Sequence, residues 1–212
     1  MTEQEARDWL LQRLGVSRET LDRLAAFAAS VIEENERQNL ISAASVPNIW
    51  SRHIVDSAQL LTHATRSRAD GLWLDLGTGA GFPGMIVGIL ADFPVVLVES
   101  RRKRFTFLEQ QAAALGLAHV QVHCGRLEQL ESLAADTISA RAFAPLGRLF
   151  EVAHRFSTEK TQWLLPKGRS VREELESIAG SWQGNFRVEP SITDDGAAII
   201  VASEVRPRKR SR

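Results

Sequence analysis

Four glycines and one carboxylate are spaced to hold a nucleotide-like ligand. In LDLGTGAGFPGMIVG (74–88) an apolar run passes straight into Gly77, Gly79, Gly81 and Gly84, and a helical pattern follows. Glycine at such a turn lets the backbone bend sharply and approach a ligand where a Cβ would collide. The N–H groups opening the next helix can receive an anionic group. Glu99 closes a second apolar run, VVLVES, twenty residues past Gly79, where an acid can accept hydrogen bonds from the hydroxyls of a ribose. Gly79-x-Gly81-x-x-Gly84 also matches the dinucleotide pattern, so a nicotinamide enzyme has to be weighed. Asp75, two residues ahead of Gly77, makes D-x-G-x-G and favours S-adenosylmethionine, because a dinucleotide site usually has an apolar strand residue there.

Beside this loop stands no His–carboxylate or Cys–His pairing that suggests a general base. His53 and Asp56, at i and i+3 with Arg52 and Ser57 next to them, fit a pocket role and a packing role equally. The remaining histidines (His63, His119, His123 and His154) lack ligand spacing, and no metal is expected. Arg101, Arg102, Lys103 and Arg104 follow Glu99 and Ser100. The first three read either as a solvated helix start or as phosphate contacts beside the ligand mouth, and Arg104 as an internal packing or pairing partner. Arg126 and Lys167 follow strand ends, the edge at which open α/β sheets bind ligands. Arg141 sits at another such end, where burying it unpaired would be costly, so a functional role is favoured.

The elements that must position these residues fall into two regions. Residues 1–65 read as helices: Thr2 with Glu5 has capping-box spacing, Leu10, Leu11 and Leu14 form an apolar side, Gly15 ends the first helix and Ser17 opens the second. A third helix is expected after Pro47. From about residue 71, short apolar runs at 72–76, 95–98, 120–124 and 138–142, with a weaker one at 163–165, alternate with helical stretches near 84–91, 102–116, 146–156 and 169–181. That alternation predicts a mainly parallel sheet covered by helices. Runs at 186–192 and 197–205 around Asp194-Asp195-Gly196 predict a closing antiparallel hairpin. Cys124, on a buried strand, reads as a small core residue.

The chain is 212 residues long with 26 basic and 26 acidic residues. That neutrality hides a basic end, RPRKRSR, in which Arg208, Lys209 and Arg210 are further candidate phosphate contacts. Balanced charge argues against indiscriminate coating of nucleic acid. A single cysteine, no secretory leader and no apolar run of roughly 18 residues predict a reducing, cytoplasmic setting.

RHIVDS (52–57), LDLGTGAGFPG (74–84), LVESRRKRFTFL (97–108), SARAFAPL (139–146) and LPKG (165–168) resemble the bacterial glucose-inhibited division protein B family, small-subunit ribosomal RNA guanine-N7 methyltransferases. The resemblance covers residues 20–205 and departs from the family pattern at ERQNLIS, before and after Leu40. It implies a class I, Rossmann-like methyltransferase fold, S-adenosyl-L-methionine as cofactor, and a guanine in the decoding-region loop as target. It further implies that Gly77 and Phe82 contact the cofactor, that Glu99 and Ser100 hold its ribose, that Leu127 and Glu128 lie against its adenine, and that Arg141 stands at the mouth. Asp75, Thr78, Gly79 and Gly81 complete the expected cofactor set, with Arg141 and His53 as candidate mouth residues and no general base.

The expected organisation is a helical extension over 1–65, a cofactor-binding domain over 66–205 and a basic, disordered tail over 206–212. A monomer acting on ribosomal RNA, a 30S subunit or its assembly intermediate is expected, with no membrane partner. Two alternatives stay open: a methyltransferase of the same fold acting on a protein or small molecule, and a non-catalytic RNA-binding assembly factor.

Overall fold

The computed structural model describes residues 1–65 and 71–208. Strands β1 (Trp73–Leu76), β2 (Val95–Glu99), β3 (Val120–Cys124), β4 (Ala135–Ala140), β5 (Ser157–Lys167), β6 (Trp182–Pro190) and β7 (Ala198–Pro207) form one sheet in the order β3-β2-β1-β4-β5-β7-β6. The first five are parallel, and β7 runs antiparallel between β5 and β6. The chain builds outward from β1 to β3 and then returns to place β4 on the other side of β1. That reversal opens a crevice at the carboxyl ends of β1 and β4, the place where such sheets bind ligands.

Side chains alternate across each strand, and the helices cover both faces. Helices α1 (Glu3–Leu14), α2 (Arg18–Gln38), α5 (Gly84–Leu90) and α6 (Arg102–Ala114) bury Phe27, Trp73, Met85 and Leu97. Helices α7 (Leu146–Ala153) and α8 (Val171–Ile178) bury Leu74, Ile138, Phe150 and Trp163 on the other face. Thr2 and Glu5 form the expected capping box, Gly15 ends α1 at φ +63°, and Ser17 caps α2. The inner side of α1 is built from Ala6 and Leu10, whereas Leu11 is 40% exposed. No helix among the described residues is long and apolar enough to cross a membrane.

Four local expectations need correction. Pro47 lies inside a 3-10 turn, Ala43–Asn48, which passes into a π turn, Trp50–Val55, and two short pieces, α3 (Asp56–Ala58) and α4 (Leu60–His63). The weak run at 163–165 is the middle of the eleven-residue β5. Its first half is polar and exposed, and its pairing to β4 is interrupted by a register shift, so no hydrophobic pattern marks it. Asp194-Asp195-Gly196 does not form a two-residue turn, because the strands stop at Pro190 and resume at Ala198. Finally, Cys124 is only half-buried.

Candidate active site

Asp75 lies on β1 and shares the α5 face with Trp73. It is fully buried; its Oδ2 accepts from Gly84 N–H at 3.0 Å and its Oδ1 from the Ser139 hydroxyl at 2.6 Å. Ser139 Oγ in turn accepts from Trp73 Nε1–H at 2.8 Å. Burial pushes the Asp75 carboxyl above its usual range, opposed by those hydrogen bonds. This corrects the expectation that Asp75 touches a cofactor: it ties β1, β4 and the start of α5 together behind the loop. A Cβ at Gly84 would collide with Leu97 and lie 2.8 Å from Asp75, so this tie needs a glycine.

The loop itself turns through Gly77, Gly79 and Gly81 at φ +63°, +62° and +96°. A Cβ at Gly81 would meet Met85, Leu108 and Phe27, all within 2.9 Å. Gly81 is therefore required by packing on its Cβ side, which leaves only its backbone for a ligand. Phe82 is 2% exposed, with Phe27 against one edge at 5.7 Å and the His53 ring stacked on it at 4.8 Å, which leaves only its backbone for a ligand. At Gly79 the nearest atom to an added Cβ is an Arg104 guanidinium nitrogen at 3.6 Å. Here an added Cβ would make only ordinary van der Waals contacts.

Glu99 ends β2 below Gly79. One carboxylate oxygen accepts from Gly79 N–H at 3.1 Å and the other from Arg101 N–H at 2.7 Å. A carboxylate has about four acceptor positions, so two remain for hydroxyl donors. Among the described residues the buried Thr78 hydroxyl has no hydrogen-bond partner. Ser100 is exposed beside Glu99. Leu127 opens a 3-10 turn just past β3 with its side chain in the core, leaving its backbone as the ligand-facing part, and Glu128 beside it is exposed. The residues present fit an adenosyl group: a glycine cradle, a ribose-type carboxylate and a neighbouring stretch of backbone.

On the other side of the crevice a cavity of about 740 Å³ is lined by His53, Arg141, Phe143, Lys167, Glu174 and Asp194 among others. Phe143 forms the partition: a Cβ at Gly77 would collide with its ring. Arg141 donates to Asp56 Oδ2 at 3.2 Å and to His53 Nδ1 at 2.9 Å, and its guanidinium lies 5.3 Å from the Phe82 ring centre. An arginine only donates, so His53 Nδ1 accepts and Nε2–H donates to Ser45 Oγ at 2.9 Å. Burial, then Arg141 and Arg52, pull the His53 pKa down to about 3.

His53 is thus neutral at working pH and serves as an acceptor for Arg141. In the unfolded chain it would titrate near 6.5. Its contribution to stability is complete above that value and drains away as pH falls toward about 3, with a slope of up to about 1.4 kcal/mol per pH unit. Thermal denaturation between about pH 7 and pH 4.5 should show a shallower decline in His53→Gln than in the parent; equal slopes would contradict the neutral assignment.

The family model for rRNA small subunit methyltransferase G matches residues 20–194. The chain belongs to this family. The protein of that name from Rhizorhabdus wittichii is 55% identical over all of this chain and 97% of its own length. The one from Zymomonas mobilis is 50% identical over 99% and 97%. Among solved structures, an S-adenosylmethionine-dependent methyltransferase from Aquifex aeolicus superposes with TM-score 0.57 at 15% identity, covering 74% of this chain and 92% of its own. A TehB-like methyltransferase from Corynebacterium glutamicum gives 0.57 at 16%, covering 83% and 98%. These likenesses establish the Rossmann-like fold. The Rhizorhabdus and Zymomonas relatives are thus matched over nearly their whole length.

The candidate phosphate contacts do not share one surface. Arg101, Arg102 and Lys103 are exposed at the start of α6 and Arg126 is exposed past β3, all at the carboxyl edge of the sheet. Arg104 donates to Asn39 C=O at 3.2 Å, pinning α6 to the end of α2. Lys167 closes β5 and pairs with Glu174 at 2.7 Å. Arg208, expected as a further phosphate contact, stands apart from the mouth. Because β7 runs antiparallel, it carries the chain to the opposite edge, about 30 Å away at roughly 3.3 Å per residue. There the Arg208 side chain donates to Trp182 C=O. Lys209 and Arg210 lie outside the described residues. Reasoning from spacing missed Phe143, Glu174, and the Arg52–Asp194 ion pair at 2.7 Å, since each is brought to the cavity by tertiary packing.

Proposed function

We propose that this chain transfers a methyl group from S-adenosylmethionine to N7 of a guanine in the decoding-region loop of small-subunit ribosomal RNA. The observation that carries the reading is the pairing of two compartments at the sheet's switch point, within a chain of the methyltransferase G family. A glycine-lined cradle with Glu99 adjoins a separate cavity across Phe143.

The cofactor supplies an electrophilic methyl on a positively charged sulfur. Glu99 and the Gly79 backbone would hold its ribose, and the Leu127–Glu128 backbone would lie against the adenine. Guanine N7 carries a lone pair and no proton, so no side chain has to remove one, in keeping with a neutral His53. The residues' work is then orientation, an effect worth up to about 7–11 kcal/mol. Arg141, locked by Asp56 and His53, fixes the wall at which the two compartments meet. Both compartments are built from one chain, which supports action as a monomer, and a ribosomal substrate implies work in the cytoplasm; attack of an unprotonated N7 on a sulfonium methyl calls for no metal. The domain reading is a helical extension over 1–65 packed on the methyltransferase unit; the expectation of a disordered tail from 206 is corrected at its start, since Arg206 and Pro207 complete β7 against β6 and Arg208 hydrogen-bonds to Ser181 and Trp182, while 209–212 lie outside the described residues.

The test is transfer of labelled methyl to small-subunit ribosomal RNA lacking the modification, followed by mapping of the modified base. Label at guanine N7 supports the reading; label on protein or small molecules alone overturns it. Replacing Arg101, Arg102 and Lys103 together by Ala should weaken RNA affinity and flatten its salt dependence. The slope of log K against log salt should fall by up to about 2–3, at about 0.7–0.9 for each phosphate that is no longer neutralised. An unchanged slope would remove α6 from the interface.

A further inference from the structure

The cavity beside Phe143 contains three carboxylates, and in two of them both oxygens already accept hydrogen bonds from the protein. Asp56 accepts from Arg141 through one oxygen and from Gln59 and Thr193 through the other. Asp194 accepts from Arg52 and from Gly196 N–H. In Glu174 one oxygen, Oε2, takes both the Lys167 ammonium at 2.7 Å and Leu146 N–H at 3.0 Å. Among the described residues its Oε1 has no donor. The Leu146 bond at the start of α7 and the ion pair to Lys167 at the end of β5 anchor Glu174 from two sides. The cavity wall therefore presents a positioned cation and, next to it, a carboxylate oxygen that no described protein group occupies, on a side chain 22% exposed.

We infer that Lys167 and Glu174 read the amide edge of the target guanine, Lys167 Nζ donating to O6 and Glu174 Oε1 accepting from N1–H. This rests on the guanine reading above and goes beyond it by naming the discriminating groups. O6 and N1–H are neighbours on the ring, an acceptor beside a donor, and the ion pair offers the complementary order. Adenine has the reverse pattern, an amino donor facing the ammonium and a bare N1 facing the carboxylate. It also carries an N7, so nucleophilicity alone does not reject it. A site that hydrogen-bonds its substrate discriminates strongly, because the wrong base leaves its polar groups unpaired.

The experiment compares small-subunit ribosomal RNA transcripts carrying guanosine or adenosine at the mapped position, using the full-length chain. Glu174→Gln keeps an oxygen for Leu146 N–H and Lys167, and turns an amide donor toward N1–H. It should lower kcat/KM on the guanosine transcript about 10- to 100-fold, while affinity for S-adenosylhomocysteine is unchanged. Lys167→Met should reduce the preference for guanosine over adenosine at least about tenfold and provides a second variant should the first fail to fold. A purely structural ion pair would slow both transcripts equally, so an unchanged ratio in both variants overturns the assignment. If the parent chain methylates no guanine in any transcript or subunit, the functional reading fails, and this one with it. Parent activity with unaltered discrimination in the variants overturns the pair alone.

Discussion

Gly77→Val is expected to abolish methyl transfer and to weaken S-adenosylhomocysteine binding at least about 100-fold. Gly77 sits at φ +63°, where a residue with a Cβ costs about 1–2 kcal/mol, with the penalty greatest for β-branched side chains. The larger effect is local, since the new side chain would occupy the position of the Phe143 ring. Either the loop retreats from the cradle or Phe143 is driven into the adjoining cavity, and each outcome damages a ligand site. Gly116 separates the two contributions: its φ is +67° but nothing lies within 4 Å of an added Cβ. Gly116→Val should therefore carry a similar backbone cost and retain normal affinity. Calorimetric titration of both variants is the check, and normal binding by Gly77→Val would refute the loop assignment.

Asp75→Ala is expected to cost about 2–4 kcal/mol of stability, since it strands the buried Gly84 N–H and Ser139 hydroxyl without their acceptor. For a chain of this size that corresponds to a fall in Tm of roughly 4–16 °C. Asp75→Asn should lie between parent and Ala, since its amide can accept from one of the two donors while opposing the other. Urea denaturation gives the comparison; an Ala variant as stable as the parent would show that water or a rearranged Ser139 satisfies these groups. Because Asp75 does not face the cradle, cofactor affinity in a folded variant should fall only as far as Gly84 shifts the loop.

The parts of the site carried by neighbouring residues were legible in the sequence. Glycines that must turn and an acid at the end of the next strand are fixed by local geometry, and Gly79 and Glu99 do meet through a 3.1 Å hydrogen bond. What spacing could not tell was the side of the strand on which each residue lies. Asp75 belongs to the D-x-G-x-G pattern whether it faces ligand or core; only the position of α5 decides that. Gly81 fits the dinucleotide pattern but is held by Phe27 from α2, a residue 54 positions earlier. The length of β5 was hidden because its first residues are polar and exposed. Glu174 reaches Lys167 through the turn before α8, outside the i, i+4 spacing by which helical ion pairs are recognised. The separation of Arg208 from the mouth could have been anticipated, since a ten-residue strand antiparallel to β5 must exit at the far edge.

That exit has a practical corollary for anyone handling the protein. Because β7 delivers Pro207 to the edge remote from the crevice, an affinity tag, fluorophore or surface tether fused behind it would project away from the cradle and its neighbouring cavity. Immobilisation by that route should leave the entrance clear for something as bulky as a ribosomal particle.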